Sequence, residues 1–323
     1  MSSSALPQPE AKKWRVIVFV IVVGLLALLA LFGGIRDLLL LPGQSGFPSE
    51  IHRWHEAQSG IFTALLFGGS FLMLLWRPQR KPLLAVFLVL SIALVSLAFA
   101  TVSGSGFNPI VLAIGAALIC IIVITYPMPR ALLNFRREGS LSYPLLALTF
   151  IAAVLLAPII ARELNWQILG ITGHDVHALN YHWLTSVMLA LMLILAGSLT
   201  ATKQAGWQAL GLITGVAYLY LGGMAQLLPD YAGSWGAIGG GLGLLGGVAY
   251  ITVTLVEARK SRQVAGSRIG DIAWPSDTAL VAILREGRVI VPQADDPLAG
   301  GDELLFVTGE DVEDELGRLL SGD

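Results

Sequence analysis

The sequence predicts an α-helical polytopic membrane protein of about eight transmembrane helices, arranged as two parallel four-helix repeats, followed by a small C-terminal α/β domain in water. Three observations predict it. Apolar stretches long enough to cross a bilayer recur up to residue 256, polar landmarks repeat within them at a fixed interval, and the composition changes abruptly at Glu257. With 55% hydrophobic and 13% charged residues, the chain is far from the quarter-charged composition of a soluble domain. Its net charge of -2 conceals two opposite halves. From Gly266 to Asp323, thirteen Asp/Glu face four Arg, a net of -9, whereas the preceding part holds sixteen Lys/Arg and nine Asp/Glu, a net of +7.

A bilayer core of about 30 Å needs roughly 20 apolar residues per helix. Eight segments meet that need: 16–35, 58–76, 82–101, 108–126, 143–161, 182–201, 207–227 and 235–256. The first follows Lys12, Lys13 and Arg15 as a signal peptide would, but it exceeds an ordinary apolar signal core and shows no convincing cleavage site, so it is expected to remain as a span. The implied layout is a tail at 1–15, a first four-helix repeat at 16–138, a second at 139–258, a linker at 259–265 and a C-terminal domain at 266–323.

Lys/Arg bias sets the expected orientation. With the N-terminus inside, thirteen Lys/Arg lie in cytoplasmic segments and only Arg36, Arg53 and Arg162 outside. Both termini are then cytoplasmic, in a multi-pass protein of the inner (plasma) membrane. Trp14, Trp76 and Trp207 fall at the inner boundary and Trp183 and Trp235 at the outer, where indoles favour the headgroup region. The inner loop with Arg130, Arg136 and Arg137 suits anionic lipid or the acidic tail. Cys120 is the single cysteine, so no intramolecular disulfide forms.

Sliding the chain by about 127 residues brings His55-x3-Ser59 onto His182-x3-Ser186 and Leu66 onto Leu193. Upstream, Arg36-Asp37 matches Arg162-Glu163, and a His-bearing outer loop of about 20 residues follows each pair. Four spans per copy is an even number, so both copies have the same orientation and are related by an axis along the membrane normal. In the last span, Gly239-Gly240-Gly241-x-Gly243-x2-Gly246-Gly247 strips side chains from one helix over two turns. Such a surface lets a neighbouring helix approach closely.

All five histidines fall on the expected outer side: His52, His55, His174, His177 and His182. Two His at i and i+3 share a helix face, and Glu56 or Asp175 would add a carboxylate. Imidazole suits zinc, copper or haem iron, so the pattern permits a transition metal or haem; the other reading makes these residues interfacial caps and solvated loop groups. No cofactor is demanded. Neither a nucleophilic triad nor G-x-S-x-G or H-E-x-x-H occurs, and the expectation is that the protein is not an enzyme. Asn108, Gln226 and His182 are strongly polar residues near the outer ends of the expected spans, and none of the spans holds an Asp, Glu, Lys or Arg. A midplane carboxylate relay of the kind proton-coupled carriers use is therefore missing.

The tail reads as strands at 268–274, 278–284, 288–291 and 302–308, turns at Glu286-Gly287 and Leu298-Ala-Gly-Gly-Asp302, and a helix at 310–320 with acidic residues in its first turn. The ordered series IGDIAWPSDTALVAILREGRVIVPQADDPLAGGDELLFVTGEDVEDEL resembles the C-terminal regulatory domain of the potassium-conductance-regulator (RCK or TrkA-C) family, over about a sixth of the chain. The resemblance implies a cytoplasmic domain that dimerises, binds a small ligand or cation, and regulates potassium or other cation transport. It places a ligand site along Ile290, Val291, Pro292 and Gln293. Some relatives hold cyclic di-AMP there with an Arg after the proline; here Gln293 and Asp295-Asp296 stand instead, and the acids oppose a phosphate. The family's usual upstream nucleotide-binding unit is absent, since no G-x-G-x-x-G separates a strand from a helix. The expected partners are membrane lipid, a second copy of the chain and a small cytoplasmic ligand or cation, with no nucleic acid.

Overall fold

The computed structural model describes residues 13–39, 52–102, 107–133, 141–170, 177–264, 266–285, 288–299 and 302–309, with a few residues beyond 311. Among them are eight principal helices: α1 (Lys13–Leu39), α2 (Arg53–Leu74), α3 (Pro82–Thr101), α4 (Pro109–Thr125), α5 (Tyr143–Leu169), α6 (His182–Ala201), α7 (Trp207–Leu227) and α8 (Gly236–Val264). Seven are long and apolar enough to cross a membrane; α4 is the shorter one, at 17 residues. At 1.5 Å per residue α4 spans about 26 Å, short of a full hydrocarbon core. The helical part is thus that of a multi-pass membrane protein. Two compact units divide the chain, one of residues 12–136 and 141–254, the other chiefly 255–323.

The helix ends obey local chemistry. Asn108 accepts hydrogen bonds from the N–H groups of Ile110 and Val111, at 3.1 and 3.4 Å, and Ser142 accepts one from Leu145. Each satisfies donors that a helix start leaves unpaired. Pro82, Pro109 and Pro144 occupy first-turn positions, where a missing N–H does no harm. At the other end of α2, Lys81 donates from Nζ to the carbonyls of Met73 and Trp76, both at 2.6 Å. A cation there complements the helix dipole, and burial holds the Lys81 pKa below its ordinary value.

Two helices depart from the expected bounds. α5 runs on to Leu169 rather than stopping near Ala161, and these extra two turns carry the buried Glu163 and Gln167. α8 continues as helix to Val264, through most of the segment expected as a linker. Within α2, residues Ile61–Gly69 form a π-helix, a widening that is rare at this length and frequent near functional sites.

The glycines of α7 and α8 face one another. A Cβ added at Gly222 would stand 2.5 Å from the Leu244 nitrogen and 2.8 Å from the Gly240 oxygen, and one at Gly247 would stand 2.7 Å from the Leu219 nitrogen. The backbones touch, as the glycine series predicted. Where α5, α6 and α8 meet, Thr149 Oγ1 and Tyr250 OH share a buried 2.9 Å hydrogen bond.

The C-terminal unit holds a three-stranded antiparallel sheet in the order β2-β1-β3, with β1 at Thr278–Arg285, β2 at Arg288–Ile290 and β3 at Glu303–Thr308. Ile283 pairs with Ile290 on one side and Leu304 on the other. The strand expected at 268–274 does not form. Ile269–Asp271 is a 3-10 turn instead, joined to the 294–298 segment by bonds from Ile269 N–H to Asp296 and Gly270 N–H to Ala294. Gly270 permits that approach, since a Cβ there would meet Ala294 at 3.0 Å. The helix expected at 310–320 lies largely outside the described residues. Ile269, Ile283 and Leu298 form the core, walled by Trp274, Leu280, Ile290 and Leu304.

Candidate functional site: a histidine cluster and a regulatory fold

Four of the five histidines converge. His52 and His55 lie at the start of α2, three residues apart and therefore on one face. His182 begins α6, and His177 precedes it through a turn closed by a 3.0 Å bond from the His182 N–H to the His177 carbonyl. Tyr181, at φ 57°, takes the left-handed backbone that reverses the chain. The turn sets the His177 and His182 rings beside each other, and the packing of α2 against α6 adds the other two.

Ring centroids measure the result. His52 is 4.9 Å from His177 and 5.0 Å from His182; His55 is 4.7 Å from His177 and 5.0 Å from His182; His177 and His182 are 5.4 Å apart. One nitrogen from each of His52, His177 and His182 can be chosen so that all three lie within 4.8 Å of one another. His55 and His177 are buried, so the reading as solvated loop residues does not hold for them. His174 and Asp175 lie outside the described residues. Glu56 is paired with Arg53 at 3.7 Å.

A polar frame holds the rings. His55 Nδ1 is 3.1 Å from Gln58 Oε1, and Ser186 Oγ donates to the same oxygen at 2.5 Å. An amide oxygen only accepts, so His55 Nδ1 carries the proton and its Nε2 presents a lone pair. That Nε2 is buried and has no hydrogen-bond partner among the described residues. Gln167, from the added turn of α5, clamps the second His segment: its Nε2 donates to the Ala178 carbonyl at 3.0 Å and its Oε1 accepts from the Leu184 N–H at 3.2 Å. Trp183 stacks on His177 at 4.7 Å, edges onto His55 at 5.1 Å and packs on Trp166, which Arg162 covers at 4.9 Å. The expected interfacial anchor is therefore buried against the histidines. Gly233, at φ 79°, closes the site, since a Cβ there would lie 3.1 to 3.2 Å from Trp183, Glu163 and His55. A cavity of about 250 Å³ lies beside the rings, lined by Asp37, His52, His55, Glu56, Ser59, Asn180, His182 and Thr185.

The adjacency of Trp183 to His182 and the His177-x4-His182 spacing were visible signals. Glu163 and Ser186 stood out only as landmarks of the repeat, and Gln58 and Gln167 carried no signal of a place at this site, because their roles follow from which helices touch. Gln167→Ala is expected to release both backbone bonds of the turn. With about 1 kcal/mol for each bond lost, the loop before α6 opens, which faster proteolysis after His177 or lost fluorescence change at Trp183 would register.

In the C-terminal unit, Asp302 organises the turn that closes the sheet. Its carboxylate accepts two bonds from Arg285, Nε to Oδ1 and Nη2 to Oδ2, both 2.8 Å, and one from the Ala299 N–H at 2.7 Å. Hydrogen bonds from Arg285 hold its pKa below the usual carboxylate range. Leu298, the first residue of that turn, is in the core. Of the residues placed at a ligand site by resemblance, Ile290 turns inward on β2 and Val291 outward into solvent, and Pro292 follows. The Gln293 N–H is taken by Asp296 Oδ2 at 2.9 Å. Val281, Val289, Leu305 and Val307 leave apolar side chains exposed on the sheet.

The comparisons with known proteins concern this second unit. The TrkA-C domain family matches residues 253–321. Two curated relatives, the Trk system potassium uptake protein TrkA of Mycobacterium tuberculosis strains CDC 1551 / Oshkosh and ATCC 25618 / H37Rv, are each 58% identical over 55 residues. That stretch covers 17% of this chain and 25% of either relative, so the chain spans about a quarter of their length. No solved structure matches. The match begins within α8 rather than at residue 266, and the L-x-x-G-D turn that suggested the family from sequence is the one that Asp302 and Arg285 lock. Residues 253–321 are a TrkA-C domain, carried by a chain whose described residues include seven membrane-length helices.

Proposed function

We propose that the protein is a regulated component of cation transport, of potassium type, in which the TrkA-C domain senses a small cytoplasmic ligand or cation. The observation that carries this reading is the 58% identity of that domain to the corresponding part of a potassium uptake protein. Transport runs either through the bundle itself or through a partner that the domain controls. The ligand would bind along Ile290, Val291, Pro292 and Gln293. The exposed apolar side chains of the sheet would pair with a second copy of the chain. No catalysis is assigned.

The orientation follows from charge: with α4 crossing a thinned stretch of bilayer, both termini and thirteen of sixteen Lys/Arg of the membrane part lie in the cytoplasm. The layout is that of two parallel four-helix copies at 16–138 and 139–258. Supporting it, α2 and α6 begin at the same end of the bundle, each with a histidine of the one cluster, His55 and His182.

The test is rubidium flux into liposomes holding the full-length protein, compared with protein ending at Val264. Flux that changes on removing the domain supports a self-contained regulated transporter. Absence of flux from both forms overturns it, and co-purification of a channel would then favour an accessory role.

A further inference from the structure

We propose that His52, His55, His177 and His182 bind a single divalent transition-metal ion of the zinc class in a tetrahedral, all-nitrogen site that clips α2 to the turn before α6. This goes beyond the transport reading and stands independently of it, because every residue it uses belongs to the helical unit and none to the TrkA-C domain.

The distances select the geometry. Imidazoles bound to one ion at about 2.0–2.1 Å with tetrahedral angles have ring centroids about 5 Å apart. The five measured separations lie between 4.7 and 5.4 Å. A square-planar arrangement needs two trans pairs at about 6 Å, and five of the six pairs are already too short to be trans. The two axial imidazoles of a haem stand on opposite sides of a macrocycle, about 6 Å or more between centroids, which none of these five pairs reaches.

The donor chemistry agrees. Gln58 fixes the His55 proton on Nδ1 and leaves a buried Nε2 lone pair that meets no hydrogen-bond donor among the described residues. An outer oxygen orienting the far nitrogen is how a ligating histidine is commonly held. Ser186 steadies Gln58 from α6, so the same bond network joins the two helices that the ion would join. The three nitrogens of His52, His177 and His182 lie within 4.8 Å of each other, and binding would draw them in to the roughly 3.3 Å that separates nitrogens around one tetrahedral ion. With four protein ligands the site is saturated, which is the pattern of structural rather than hydrolytic metals. A neutral all-imidazole site needs every ring deprotonated, so affinity falls as pH drops through the histidine range.

The test uses full-length protein in nanodiscs, stripped with a chelator and titrated with Co²⁺, then Zn²⁺. The expected result is a visible d–d band of tetrahedral intensity that saturates at one Co²⁺ per chain and disappears on adding Zn²⁺. His177→Ala and His182→Ala should each weaken Zn²⁺ binding by more than about 100-fold, and Gln58→Ala, which removes no ligand, by about 10- to 100-fold. Zn²⁺ should raise the unfolding temperature of the wild type and leave that of His182→Ala unmoved. A wild-type titration with no saturable band, a band of octahedral weakness, or Zn²⁺ affinity unchanged in a monodisperse His177→Ala/His182→Ala protein would overturn the proposal. The cobalt titration needs no variant, so a misfolded mutant cannot rescue the idea.

Discussion

Gly222→Ala is expected to unfold or separate the α7–α8 pair, while Gly223→Ala, one residue along, is expected to stabilise the same helix. The new methyl at 222 would sit 2.5 Å from the Leu244 nitrogen and 2.8 Å from the Gly240 oxygen; at 223 nothing lies within 4 Å. The obstructing atoms at 222 are backbone, and no rotamer change relieves them. Overpacking of this kind costs about 1–3 kcal/mol, against a gain of about 0.5–1 kcal/mol for replacing an unconstrained helical glycine. Gly247→Ala and Gly246→Ala repeat the contrast on α8, where 247 faces Leu219 and Gly215 and 246 faces open space. Thermal unfolding of the four variants in detergent decides it. If all four shift alike, helix propensity and not close packing governs this interface.

Asp302→Ala is expected to open the C-terminal domain. The carboxylate is almost fully buried and makes two bonds to Arg285 and one to the Ala299 N–H. Removing it leaves those donors without their acceptor, at a cost of about 2 kcal/mol with Arg285 partly solvated. A unit of some 60 residues has little stability to lose. Proteolysis of the tail in the full-length protein should accelerate several-fold in Asp302→Ala and less in Asp302→Glu. The pH dependence carries a sign as well. The folded pKa of Asp302 is held below its unfolded value of about 3.9. Its stabilising contribution is therefore complete above that unfolded value and is lost as pH falls through the folded pKa. Asp302→Asn should flatten that acid limb below about pH 4; an unchanged limb would show that other carboxylates set it.

What could be read from the sequence divides by the range of the forces involved. The membrane helices were legible because lipid demands a long apolar run from each of them separately. The expected strand at 268–274 failed for a tertiary reason: its N–H groups found carbonyls at Ala294 and Asp296, some 25 residues on, and a 3-10 turn met them better than a ladder did. The end of α5 was missed because Arg162, Glu163 and Gln167 break the apolar run. These residues remain helical because the bundle satisfies them, Arg162 with Glu163 and Trp166, and Gln167 with the turn before α6.

The sequence by itself determined that this chain has a membrane body with apolar helices and an acidic TrkA-C domain, since composition and short-range order carry both. It also named the histidines. Only the tertiary structure decided that four of them share one point within about 5 Å, that Trp183 lies against them instead of at a lipid headgroup, and that Gln58 sets the tautomer of His55. The reason is physical: imidazoles more than 120 residues apart meet only when α2 and α6 pack side by side, and no local pattern encodes which helices become neighbours.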